Sequence, residues 1–336
     1  MTPLITVIIP NYNREALLPV AINSVIKQLP EDSEIIVVDD GSTDGSVAAA
    51  RAYGRQVTVV CQANQGPGAA RNLGLSRATG EFVQFLDSDD LLAEGSIGAA
   101  CSLLQQSGAD IAIGCWVKGR FLSKTEFHPA NGVYQAHGLP IGQDLVYWLL
   151  THWSVVPHQM LIRRSIIERT SGFPVDLRLA EDQEFFLRCL LEGARVVWCP
   201  DFLMLYREGN SGKLSEGDTV RKGGDWARFL IRARTLCLES GRTDPLQWLG
   251  YRLRVWQACE DLRRAGVTGE LVDTLSKLLH GHDTPLLYKL VRHYWSIRGG
   301  FQQRLTGGRA HPCFRIGKLT AQQRERIRKS GYSVKA

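Results

Sequence analysis

Apolar and polar positions along the chain fall into alternating blocks. LITVIIP at 4–10, EIIVV at 34–38, VTVVC at 57–61 and FVQFL at 82–86 are short, β-rich and apolar almost without interruption. Strands that are apolar on both faces belong to parallel sheets covered by helices. Between them, at about 15–28, 44–53 and 68–78, apolar residues recur at helical spacing. A helix near 93–106 and a strand near 109–117 continue the alternation. Strand alternating with helix predicts βαβ units and an α/β fold with a doubly wound, mostly parallel sheet. The stretch 118–220 is less regular. It predicts helices at 141–151 and 181–193 and strands at 159–163, at RVVWC and at FLMLYR. From about 221 to 300 the spacing is helical, and after Gly299 a loop leads to a short basic helix near 320–329.

In such a sheet, ligands bind beyond the carboxyl ends of the strands. Here those ends carry Asn11-Tyr12-Asn13-Arg14, Asp39-Asp40-Gly41-Ser42, Asn64-Gln65-Gly66-Pro67-Gly68 and Asp87-Ser88-Asp89-Asp90. Parallel strands put all four on one edge, with Arg71 one turn into the helix after the glycines. Carboxylates this close repel and raise one another's pKa. The D-S-D cluster therefore either faces water as a solvated turn or surrounds a cation, and oxygen ligands suit Mg²⁺ or Mn²⁺. Asp39 and Asp40 add a second acidic group, beside which Ser42, Thr43 and Asp44 can cap a helix. Glu181-Asp182 open a helix. Acids there suit the helix dipole whatever their function, and the same dipole keeps a general base ionised. Neither GxGxxG nor GxxxxGK[ST] occurs, which argues against a Rossmann dehydrogenase and a P-loop enzyme.

Composition is that of a soluble globular protein: 336 residues, 44% hydrophobic and 22% charged. No apolar run approaches the roughly 18 residues of a membrane span, and the N-terminus has no basic, cleavable leader pattern. Eight cysteines without a CxxC pair predict reduced, buried thiols and a cytosolic protein rather than a zinc site. The net charge of +6 hides an asymmetry: 17 Lys+Arg against 25 Asp+Glu in 1–220, and 23 against 9 in 221–336. The two parts are expected to do different jobs.

The combination VIIPNYN, VVDDGSTDGS, NQGPGAARNLGLSRATGEFVQFLDSDD, AEDQEF and YREGNSGKLS, in this order over residues 4–215, resembles the family-2 glycosyltransferases with their GT-A fold. The resemblance implies a GT-A glycosyltransferase domain over 1–220 and leaves 221–336 as a helical, basic C-terminal region. It implies inverting transfer from a nucleotide diphosphate sugar, most often of UDP, to a hydroxyl of a glycan or lipid-linked acceptor in bacterial-type surface polysaccharide synthesis. Carried over by position, Tyr12 packs against the base and Asp40 accepts a hydrogen bond from it. Arg71 helps hold the nucleotide, and Pro10, Gly68 and Ser88 complete the donor site. Asp87 reaches the ribose or the metal, Asp89 binds Mg²⁺ or Mn²⁺ directly, and Asp182 is the general base. Glu181, His158 and Arg207 fall on the acceptor side.

The chain departs from the family at Tyr206-Arg207-Glu208-Gly209-Asn210-Ser211, where a His often follows the Tyr-Arg pair. The alternative function is a family-2 fold without turnover that serves as a binding or assembly partner, and the intact acids favour the enzyme. Residues 284–298, TPLLYKLVRHYWSIR, suit either an anionic membrane surface or a face packed on the catalytic domain. The basic charge also raises nucleic-acid binding, which is set aside because no nucleic-acid module accompanies it. The expected location is the cytoplasm, with peripheral contact to the inner face of the membrane.

Overall fold

The computed structural model describes residues 4–123, 126–129, 133–136, 139, 144–151, 154–209, 219–281, 286, 288–290, 293, 314–317 and 319–334. Among the described residues, the predicted apolar blocks lie side by side at one end of a ten-stranded sheet. Strand β1 (Ile5–Asn11) is buried along its whole length. It is flanked in parallel by β2 (Glu34–Asp39), and β2 by β3 (Thr58–Cys61). On the other side β1 pairs in parallel with β4 (Phe82–Phe85). The short β5 (Leu91–Leu92) follows.

The sheet continues with strands of both directions. Strand β6 (Ile111–Phe121) does not pair with β4. The later strand β9 (Met160–Arg163) lies between them, antiparallel to both. An apolar run carries no mark of direction, so 159–163 looks like any other strand in sequence. Strand β6 nevertheless points the same way as β4. So does β10 (Val196–Arg207), which pairs in parallel with β6 and joins the two predicted strands RVVWC and FLMLYR across an irregularity between Trp198 and Leu203. The carboxyl ends of β1, β2, β4, β6 and β10 therefore share one edge.

Side-chain alternation explains why helices cover both faces. Val7, Ile9, Ile35 and Val37 pack against helices α1 (Leu18–Ile26), α2 (Ser46–Arg51) and α4 (Ser96–Ser107). Ile8, Ile36, Val38 and Phe85 face the other way, onto α3 (Pro67–Leu75), α5 (Leu145–Thr151) and α7 (Glu181–Leu191). Helices α8 (Thr219–Glu239), α9 (Leu249–Arg264) and α10 (Glu270–Leu279) join that second cluster through Phe229, Tyr251 and Leu275.

The predicted C-terminal basic helix is α11 (Ala321–Lys329), started by a Thr320–Gln323 capping box. Its Ile327 packs with Val117, Phe127 and Leu205 at the far side of the sheet. Two short tail strands also pair, Phe314–Gly317 with β8 (Val133–Ala136) and Ser333–Val334 with β7 (Glu126–Pro129), and the short helix α6 (Arg164–Arg169) follows β9. Most of 284–298, and the stretch 210–215 of the last resemblance motif, lie outside the described residues. Among the described residues no helix is long and apolar enough to cross a membrane, and seven cysteines are free, all buried but Cys61.

Candidate active site

The loops after β1 and β2 are tied to each other before either meets a ligand. Asn11 Nδ2 donates to Asp39 Oδ2 at 2.9 Å, and Asp39 Oδ1 accepts from Ser42 N at 2.9 Å. Asn13 adopts a left-handed conformation at φ 50°, which Asn tolerates better than most residues. There its backbone N donates to Ser42 Oγ at 2.9 Å and its Oδ1 accepts from Thr43 N at 2.8 Å. Asp39 is thus a brace, and its neighbour Asp40 lines the crevice. The Asp40 carboxylate accepts from Gln62 Nε2 at 2.7 Å and from the backbone N of Gln65 and of Gly66, both at 2.8 Å. Gly66, at φ 94°, can offer that N–H because it lacks the Cβ that disfavours the left-handed region.

Arg71 is the centre of the site. It is only 3% exposed. Its Nη1 donates to Glu181 Oε1 at 2.8 Å and its Nη2 to Asp87 Oδ1 at 2.9 Å. One guanidinium thereby joins the D-S-D turn to the start of α7. Burial alone lowers an arginine's pKa, but the two carboxylates outweigh it and raise that of Arg71. Burial likewise pushes the Asp87 carboxyl up, and Arg71 with His158 outweighs it and holds Asp87 well below the usual carboxylate range.

His158 sits behind the turn at 1% exposure. Its Nδ1 lies 3.3 Å from Asp87 Oδ2 and its Nε2 3.6 Å from Asp90 Oδ2. Among the described residues neither ring nitrogen completes a hydrogen bond. One ligand atom from each of Asp87, Asp90 and His158 lies within 4.8 Å of the others. Two carboxylates and an imidazole suit a divalent cation such as Mn²⁺. Asp89 turns toward Arg14, whose Nε is 3.5 Å from its Oδ2.

Helix α7 opens after Ala180, which is held at φ 63°. A non-glycine residue there carries strain of about 1 kcal/mol, and the kink delivers Glu181 and Asp182 to the crevice together. Burial and the Asp182 charge push Glu181 up to about 7, against the pull of Arg71. Burial also raises Asp182 above its ordinary 3.8, with Arg71 and the Gln183 N–H pulling the other way.

Pro10, Tyr12, Asp40, Arg71, Asp87, Ser88, Asp89, His158, Glu181 and Asp182 all line one crevice of about 400 Å³. Tyr12 is at its lip, 47% exposed. Gly68 and Arg207 stand outside that lining. A Cβ on Gly68 would come within 2.7 Å of the Pro174 carbonyl oxygen, so this glycine permits close packing of α3. Arg207 stacks 3.8 Å from the centroid of Phe121, and its Nε donates to the Asp89 carbonyl at 2.9 Å. It supports the acidic turn from behind. Asn64, Arg178 and Tyr206, to which the sequence pattern assigned no role of their own, also line the crevice. The first and last lie on strand-end segments of the same edge. Arg178 had only its closeness to Glu181-Asp182 as a signal.

Residues 6–170 match the family described as Glycosyl transferase family 2. The chain is 32% identical over 224 residues to the uncharacterized glycosyltransferase EpsJ of Bacillus subtilis (strain 168), an overlap of 64% of each chain. The chain thus spans just under two thirds of that relative's length. It is 28% identical over 216 residues to TarS of Staphylococcus aureus, a poly(ribitol-phosphate) beta-N-acetylglucosaminyltransferase; this covers 62% of the present chain and 36% of TarS. Residues 1–349 of TarS, in a crystal structure with UDP-GlcNAc, share the fold with a TM-score of 0.61 and 21% identity, over 81% of this chain and 83% of that one. The mannosyltransferase PcManGT of Pyrobaculum calidifontis, solved with GDP-Man and Mn²⁺, follows at 0.53 and 21% identity, over 88% and 83% of the two chains.

Proposed function

Because the chain belongs to glycosyl transferase family 2, we propose that its crevice takes a UDP-sugar and a divalent cation and transfers the sugar, with inversion, to a hydroxyl of a glycan or lipid-linked acceptor. The observation that carries this is Arg71, whose single guanidinium holds Asp87 of the acidic turn and Glu181 beside Asp182 at fixed separation.

Each wall then has a task. Tyr12, exposed at the lip, offers a ring face to the base. The Asp40 carboxylate has about four lone-pair sites, and three are filled by Gln62, Gln65 and Gly66. The one left over matches the single imide N–H of uracil. Asp87 and Asp89, both in the crevice lining, would hold a Mg²⁺ or Mn²⁺ ion, and Asp90 and His158 cluster with Asp87 as further oxygen and nitrogen donors. Such a cation would offset the charge that builds on the departing diphosphate.

Asp182 receives the acceptor proton. Among the described residues its side chain accepts only the adjacent Gln183 N–H at 2.8 Å, whereas Glu181 is engaged by Arg71. Burial raises the pKa of Asp182 above that of a free carboxyl, which makes its ionised form a better base. A single displacement opposite the leaving group inverts the anomeric centre. Two solved structures that share the fold hold a nucleotide sugar, one of them with Mn²⁺, which supports this choice of donor and cation.

The test is UDP release from UDP-sugars by the full chain. It should appear with Mn²⁺, vanish with a chelator, and fall in Asp89→Ala. Release that ignores the chelator and Asp89→Ala contradicts the proposed role of the cation.

A further inference from the structure

The arginines of the crevice divide by what they touch. Arg71 is committed to Asp87 and Glu181, and Arg14 lies 3.5 Å from Asp89. Arg178 lines the same crevice, half-buried. Among the described residues its guanidinium makes no hydrogen bond or ion pair, and only its backbone N is engaged, by Asp225 Oδ2 at 3.2 Å. The acids around it are taken. Asp225 Oδ1 pairs with Arg228 at 2.9 Å, Asp176 with Arg232 at 2.6 Å, and Glu181 with Arg71 at 2.8 Å. The side chain lies along Gly66, where a Cβ would meet Arg178 Cγ at 3.6 Å and Nε at 3.7 Å.

The rest of the lining is rich in carboxylates: Asp40, Asp87, Asp89, Asp90, Glu181 and Asp182. That field repels anions. A guanidinium in it with no carboxylate of its own is a preformed fork for a phosphate, which it can grip through two N–H donors.

We propose that Arg178 is a phosphate-binding residue of the crevice, held without an internal partner so that a phosphate carried in by substrate can pair with it. The phosphate is either the donor's diphosphate or a phosphate group on the acceptor. The inference rests on the proposed nucleotide-sugar chemistry, and its test separates the two claims.

The test is calorimetric titration of the full chain, as wild type, Arg178→Gln and Arg178→Lys, with Mn²⁺ present. Uridine and UDP are titrated separately. Inorganic phosphate is then titrated into the UDP complex and into the nucleotide-free protein, and melting curves check the fold of each variant. If the donor supplies the phosphate, Arg178→Gln weakens UDP by about ten-fold or more and leaves uridine unchanged, and Arg178→Lys recovers part of the loss. If the acceptor supplies it, UDP affinity is the same in all three proteins, and the glutamine variant loses phosphate binding to the UDP complex. Equal affinities for UDP and for phosphate in all three overturn the proposal. A wild type that ignores UDP sinks the nucleotide assignment instead, and phosphate binding to the nucleotide-free protein still decides on Arg178.

Discussion

At the scale of single residues, two adjacent carboxylates, Glu181 and Asp182, divide the work of the crevice between them. Neighbours on a helix point about 100° apart, and Arg71 holds Glu181. Asp182→Asn should therefore keep donor affinity and lower transfer by roughly 10²–10⁴. Glu181→Gln should loosen Arg71 and weaken the donor site instead. Paired assays of donor binding and transfer decide, and a fully active Asp182→Asn would move the base to another residue. Glu181 also makes a signed prediction. Its pKa rises from an ordinary 4.5 to about 7 in the fold, so the native state binds more protons than the unfolded chain between those values. Its contribution to stability is complete below about pH 4.5 and is lost as pH rises through 7. Melting temperatures of Glu181→Gln and wild type should converge at low pH and shift in the variant's favour above 7, once the loss of the Arg71 bond is allowed for by comparison at pH 4.5. Positions such as Asp40, Asp87 and Asp182 were legible in the sequence because charged residues at strand ends and helix starts stand out against apolar runs. Arg178 was not, because a lone arginine before a helix looks like any solvated one until its neighbours are seen to be paired elsewhere.

At the scale of elements, the apolar blocks and helical spacings gave the doubly wound core, because burial on both faces leaves a periodic trace. The insertion of β9 between β4 and β6 left none, since pairing direction and partner depend on contacts distant in sequence. Gly68 is another such position: the resemblance assigns it to the donor site, and in the fold the place of its missing side chain is closed by the Pro174 carbonyl. Gly68→Ala should push α3 away from that backbone and destabilise the fold by about 1–3 kcal/mol, read by urea denaturation. An unchanged midpoint would show that α3 has room to spare. The kink at Ala180 is another feature that spacing cannot show, because alanine is an ordinary helix residue and its positive φ comes from the surrounding packing.

At the scale of the whole molecule, the basic C-terminal segment returns to the sheet. Tyr332 packs edge-on against Phe121 with centroids 5.0 Å apart, and Phe121 carries the Arg207 that grips the Asp89 carbonyl. Arg326 pairs with Asp201 at 3.2 Å. Ile327 is fully buried in that contact, so Ile327→Ala should cost about 2–4 kcal/mol of stability in urea unfolding. A negligible loss would mean that α11 rests on the sheet without anchoring. All these supports converge on the acidic edge, and the central claim is that this edge binds a nucleoside diphosphate through a divalent cation. The most direct measurement is the melting temperature of the full chain with UDP, GDP or dTDP, each with Mn²⁺ and with a chelator. UDP at about 100 times its dissociation constant should stabilise by about 2.7 kcal/mol, roughly 4 °C for a chain of this size, and most of that shift should disappear with the chelator. Stabilisation by GDP or dTDP but not by UDP, or a UDP shift that the chelator leaves intact, would contradict the account.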